Sequence, residues 1–205
     1  MLARRAHGTL HTMCGRYTPH MTQRFAVLGW GSLLWDDAHP DFNAQIGAWQ
    51  YDGPKVPVEF SRISQSRHGA LTLVLDPEHG PAIEVAWTLS KRDELGSAIE
   101  DLQKREGTTR AKIGYVHGRE QQARLPNIAN TIRTWSAAHN FDGVVWTDLD
   151  SNFETKKAQV FSVQNARAHL DGLSEQAKAA ARLYIRSAPQ FIQTPLRAAL
   201  ADFVA

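Results

Sequence analysis

Several things that would decide a protein's class at once are missing from this chain. Its 205 residues include one cysteine, Cys14, so an internal disulfide is excluded and there is no Cys-x-x-Cys pair for zinc or redox chemistry. From residue 21 onward no two histidines stand at His-x-His or His-x-x-x-His spacing, so the folded part offers no metal-ligand motif, and neither a metal nor another cofactor is expected. No apolar run approaches the ~18 residues that cross a bilayer, and residues 1–20 lack the apolar core of a secretory signal. A membrane is therefore not expected as a partner, and a cytoplasmic location is. An excess of positive charge is missing too. The net charge of +2 includes Arg4, Arg5 and Arg16 in an acid-free first twenty residues, and removing those three charges leaves residues 21–205 at −1. Such a surface is not built for nucleic acid.

What remains is ordinary globular material, 42% hydrophobic and 21% charged, in a length that suits one domain. Residues 1–20 show neither helical nor strand period. They read as a mobile N-terminal arm or a non-native start, with residues 21–205 as a single domain. No repeat and no linker divides that domain.

The most distinctive stretch is Phe25-Ala26-Val27-Leu28-Gly29-Trp30-Gly31-Ser32-Leu33. An apolar run of strand type breaks at two glycines that bracket a tryptophan. Glycine permits positive φ and lets a ligand approach main-chain N–H groups, so this loop is either an ordinary tight turn or a cradle for a carboxylate or oxyanion. Ser32 does not sit in a Gly-x-Ser-x-Gly elbow, because positions 30 and 34 are Trp and Leu, so it is not marked as an acyl nucleophile.

Further along, residues 56–62 alternate, with Val56, Val58 and Phe60 on one face. Arg62 continues that face, either reaching solvent at the strand end or clamping a carboxylate in a pocket. Residues 70–75 and 83–89 come next as strands, and two successive hairpins point to an antiparallel sheet. In the latter strand Ile83, Val85 and Trp87 share one face, and Glu84 on the other is expected in solvent. Strands at 113–116 and 143–147 and helices at 127–139, 158–170, 174–186 and 195–203 complete the pattern, the last capped by Thr194. Tyr115 is a candidate pocket residue.

The segment from Ser90 to Gly107 reads as a helix with Ser90 as N-cap, Asp93 at N3 and Gly107 as the stop. Leu95, Ile99 and Leu102 recur at helical spacing, and Glu106 falls one turn beyond Leu102 on the same face, whereas Lys104 and Arg105 fall elsewhere. A carboxylate against an apolar face has a raised pKa, which suits proton transfer near neutrality. The alternative is a frayed last turn in which Glu106 pairs with Arg110 or Lys112.

Two segments carry a resemblance. Gly29-Trp30-Gly31-Ser32-Leu33 resembles the Tyr-Gly-Ser-(Leu/Asn) signature of the γ-glutamylcyclotransferase-like family, with Trp30 where the family usually has tyrosine. Leu102-Gln103-Lys104-Arg105-Glu106-Gly107 is similar to the family segment in which a glutamate followed by glycine ends a helix and supplies the acid/base. The resemblance implies an α+β fold: a small, mainly antiparallel mixed sheet curled into a partly closed barrel, with flanking helices and a helical C-terminal segment. It also implies an enzyme that releases 5-oxoproline from a γ-glutamyl amine or peptide, with Glu106 as general acid/base and Gly29, Trp30, Gly31, Ser32 and Leu33 around the substrate. Arg62 and Tyr115 are added to that substrate-binding set. The rival reading is a non-catalytic small-molecule-binding protein with the same fold and pocket.

Overall fold

Phe25-Ala26-Val27-Leu28 is buried at every position because its strand is covered on both faces. In the computed structural model, which describes residues 22–205, this is β1 (Phe25–Gly29), followed by α1 (Pro40–Asn43), β2 (Lys55–Ile63), β3 (Leu71–Leu75), β4 (Ala82–Glu84) and β5 (Ala86–Leu89). Then come α2 (Leu95–Glu106), β6 (Ile113–His117), β7 (Glu120–Gln122), α3 (Pro126–Ala138) and β8 (Gly143–Thr147). The chain ends in α4 (Phe153–Lys157), α5 (Val163–Asp171), α6 (Glu175–Ser187), α7 (Pro195–Ala199) and α8 (Ala201–Val204). The expectations for residues 1–20 lie outside the described residues.

The architecture is mixed α+β with two sheets. One has the order β5-β1-β8-β6-β7 and the other β3-β2-β4. Every pairing is antiparallel except β1 with β8. The expected partly closed barrel is not found among the described residues, and the break lies at Val85. The strand expected over 83–89 divides there, so that β4 pairs with β2 while β5 pairs with β1. Val85 donates its N–H to the Pro54 carbonyl at 3.2 Å and accepts from the Gly53 N–H at 3.0 Å. A Cβ on Gly53 would stand 2.3 Å from the Val85 oxygen, so this crossing of chains requires glycine. Glu84 is exposed, as its phase predicts.

Alternation in β1 decides which face each side chain serves. Phe25 and Val27 join Ile99 and Leu102 of α2 in one apolar cluster, whereas Ala26 and Leu28 join the larger cluster shared with β2, β3, α3 and the C-terminal helices. Burying Ile99 and Leu102 completely contributes about 2 kcal/mol each to fixing α2 on the sheet. Among the described residues no helix is long and apolar enough to cross a membrane.

Some boundaries move from their expected places. Ser90 does not cap α2, because its N–H is tied to the Phe25 carbonyl at 2.8 Å and its hydroxyl accepts from the Arg92 amide; α2 starts after Glu94 without a side-chain cap. The helix expected from 158 starts at Val163, since Ala158 has φ 53° and Ser162 supplies the cap. Thr194 caps α7 as expected, accepting from the Arg197 amide at 3.2 Å, although the helix breaks at Leu200.

Candidate active site

A cavity of about 700 Å³ opens at the carboxyl ends of the parallel pair β1 and β8, the place where chains leaving neighbouring parallel strands diverge. Trp30, Gly31, Ser32 and Leu33 line it from β1, and Thr147 and Leu149 from β8. Glu106 lines it from the last residue of α2. The loop is anchored on both sides of the sheet, with Trp30 in the larger apolar cluster and Leu33 in the smaller. Its backbone turns through a 3-10 element at Ser32–Leu34, where the Leu34 N–H meets the Gly31 carbonyl at 3.1 Å and the Asp36 N–H meets the Ser32 carbonyl at 2.9 Å.

The glycines of this loop serve a different purpose from the one their sequence suggests. Gly31 has φ −115° and ψ −147°, and neither Gly29 nor Gly31 is among the positive-φ glycines, which are Gly69, Gly107 and Gly118. Space is what they provide. A Cβ on Gly29 would come within 2.9 Å of the Trp49 indole, and one on Gly31 within 3.1 Å of the Tyr184 hydroxyl. Gly29 is thus a packing residue under Trp49 and does not line the cavity.

Glu106 keeps 18% of its side-chain surface accessible, enough to be reached from the cavity. Burial pushes its carboxyl above the usual range; Arg105 and Arg67 pull it back in part, and Asp36 pushes it up again. The negative end of the α2 dipole acts in the same upward direction. The helix stops where the sequence predicts. Gly107 adopts φ 56° and ψ 37°, its N–H reaches the Lys104 carbonyl, and the Thr108 N–H reaches that of Gln103, both at 3.2 Å. Nothing lies within 4 Å of a Cβ on Gly107, so a side chain there costs only backbone strain. Gly107→Ala should therefore lower stability by about 1 kcal/mol, read as a lower urea midpoint at unchanged slope; an unchanged midpoint would show that this cap does not hold the end of α2.

Arg105 corrects the sequence reading. Its side chain is 5% exposed and is buried with Ala98, Ile99 and Leu102. Nη2 donates to the Ser32 carbonyl at 3.2 Å, Nη2 stands 3.6 Å from Asp36 and Nη1 3.9 Å from Glu106. Asp36 also meets Arg67 at 3.4 Å. Burial pushes the Asp36 carboxyl up, but the Ala38 amide and the two guanidiniums outweigh it and hold the group below its ordinary value. The cavity wall thus contains a fixed sequence of charges, Arg67, Asp36, Arg105 and Glu106. Asp36 and Arg67 carried no periodic signal. Tyr184 reads as helix core by its spacing from Ala177 and Ala181, yet it lines the cavity from α6.

Arg62 lines the cavity, as the second of its two expected roles requires, although the carboxylate beside it is the protein's own. A bulge between Glu59 and Arg62 inserts one residue into β2, which reverses the phase of the strand beyond it. Ile63 consequently joins the apolar cluster, and Arg62 turns to donate to the Asp150 carbonyl at 2.8 Å, with the Asp150 carboxylate at 3.6 Å. Tyr115 is not brought to the site: it pairs with Gln122 and Val145 in the sheet and packs against the smaller cluster. The sequence also gives no sign that the Glu59 carboxylate is fully inaccessible. It accepts from the amides of Phe60 at 2.7 Å and Leu196 at 3.3 Å, so it ties β2 to the start of α7, away from the cavity.

Among the described residues no three His, Cys, Asp or Glu side chains group as metal ligands would. A scan against protein-family models and a search of curated proteins give no match to this chain.

Proposed function

We propose that this protein is a γ-glutamylcyclotransferase-like enzyme acting in the cavity between the Trp30–Leu33 loop and the end of α2. The observation that carries the reading is the Glu106 carboxyl, raised by burial and facing the same cavity as that loop. In the reaction the substrate's own α-amine attacks its γ-carbonyl carbon, so nucleophile and electrophile arrive as one molecule and the site must hold a ring-forming pose. Glu106 takes a proton from the attacking nitrogen as the new C–N bond forms. The tetrahedral oxyanion then collapses, the bond from the γ-carbon to the leaving nitrogen breaks, and Glu106 returns the proton to that nitrogen. The products are 5-oxoproline and a free amine or peptide, and the carboxylate ends as it began. Amides of Gly31 and Leu33 hold substrate oxygens, the Ser32 amide being directed at the Tyr184 oxygen, and Trp30 forms a wall.

A protein that only bound such a compound would gain little from a carboxylate whose charge is disfavoured by burial. The test is to incubate purified protein with γ-glutamyl amino acids, glutathione and γ-glutamyl amines and look for 5-oxoproline by mass spectrometry. Release from at least one of them, surviving exhaustive chelation, is the expected outcome. Calorimetric binding without release would instead favour the binding-protein reading, and neither binding nor release would end both.

A further inference from the structure

Among the described residues the phenol of Tyr184 donates its proton to no partner. Tyr184 is 4% exposed; Trp35 meets its ring edge-on at 5.3 Å and Phe60 at 6.2 Å, and the Arg67 guanidinium lies 5.0 Å from its centroid. The ring position is therefore fixed from several sides. Its oxygen accepts from the Leu73 amide at 3.3 Å, with the Ser32 amide adding a weaker contact. A phenol has one proton to give, and among the described residues the hydroxyl only accepts. The oxygen stands 3.1 Å from where a Gly31 Cβ would be, and Tyr184 lines the cavity with Glu106 and the loop. A buried donor with both neighbours pointing inward at it, and no recipient among the described residues, is a group prepared for a ligand atom.

We propose that Tyr184 is a second catalytic residue, donating its hydroxyl to the oxygen of the γ-carbonyl as that oxygen becomes an oxyanion. This rests on the cyclisation reading above. The two positions divide the labour: Glu106 carries protons to and from nitrogen, and Tyr184 stabilises charge on oxygen without transferring its proton. Burial pushes the phenol up to about 12, so it remains a donor throughout the neutral range. Glycine at position 31 is then explained by function as well as packing, since any side chain there would displace the hydroxyl.

Tyr184→Phe keeps the ring and removes the donor. With the γ-glutamyl compound that gives the most 5-oxoproline, kcat should fall about 100-fold, the scale for one lost oxyanion donor, while KM changes less than about twofold. A kcat within threefold of the parent would overturn the proposal and reduce the hydroxyl to an acceptor for Leu73. If the Phe variant does not fold, 3-fluorotyrosine at position 184 preserves both acceptor and proton and makes the phenol more acidic. A kcat that shifts with that acidity supports the proposal, and a kcat that does not overturns it. Should the parent protein release no 5-oxoproline from any compound, the cyclisation reading itself fails and takes this one with it. That result cannot be mistaken for an active parent with an equally active Phe variant.

Discussion

Glu106→Gln should reduce turnover by about 10²- to 10⁴-fold while leaving the fold and substrate binding in place. Glutamine matches the size and polarity of glutamate but cannot carry a proton, and loss of a positioned acid/base has consequences on that scale. Binding should persist in calorimetry because the loop amides, not Glu106, hold the substrate. Stability gives a second, independent readout with a definite sign. The folded-state pKa of Glu106 lies above its unfolded value because burial disfavours the charge. Its contribution is therefore fully present below about pH 4, where the carboxyl is neutral in both states, and is lost as pH rises through the folded value. Relative to the parent, Glu106→Gln should accordingly melt higher at neutral pH, with the difference vanishing toward pH 4. The acid limb of the parent's kcat/KM profile should also lie above the ordinary carboxylate range. Glu84→Gln is the control, since Glu84 is exposed on β4 and should leave turnover unchanged. A mild Glu106 effect with a severe Glu84 effect would move the acid to β4 and end the present assignment.

Removing the neighbouring guanidinium should have a different and equally large signature. Arg105→Met fills much of the same volume but takes away one donor to the Ser32 carbonyl and the cation beside both Asp36 and Glu106. Three groups that Arg105 stabilises then remain in a largely buried place. Removing one member of such a cluster costs about 3 kcal/mol, and a chain of this length should melt roughly 10 °C lower. Chemistry should change as well. Arg105 is the leading influence that pulls the Glu106 carboxyl down against burial, so without it the acid limb of kcat/KM should move to higher pH. Calorimetry and a pH–rate profile of the same preparation test both halves. A destabilised variant with an unmoved acid limb would show that Arg105 holds the loop without influencing Glu106.

The sequence alone determined what local pattern can determine. Apolar runs gave β1 and β8, and Leu95, Ile99 and Leu102 gave the buried face of α2. Gly107 gave its end, and spacing of four from Leu102 brought Glu106 to the rim of that face. These are near-neighbour effects, fixed by side-chain period and by the one residue type at ease with φ 56°. Beyond that reach the reading failed for identifiable reasons. The bulge in β2 turned Arg62 away from the face its parity assigned, and the crossing at Gly53 and Val85 divided one expected strand between two sheets. Both depend on which strand lies alongside, which no period encodes. Arg105, one residue from Glu106, falls off the apolar stripe by spacing, and its burial is tolerable only because distant partners, the Ser32 carbonyl and Asp36, come to meet it. The Tyr184 hydroxyl reaches the Gly31 loop across 153 residues of chain. Only the tertiary structure could decide that, because a helix places its residues on faces by local geometry, while what each face touches depends on packing.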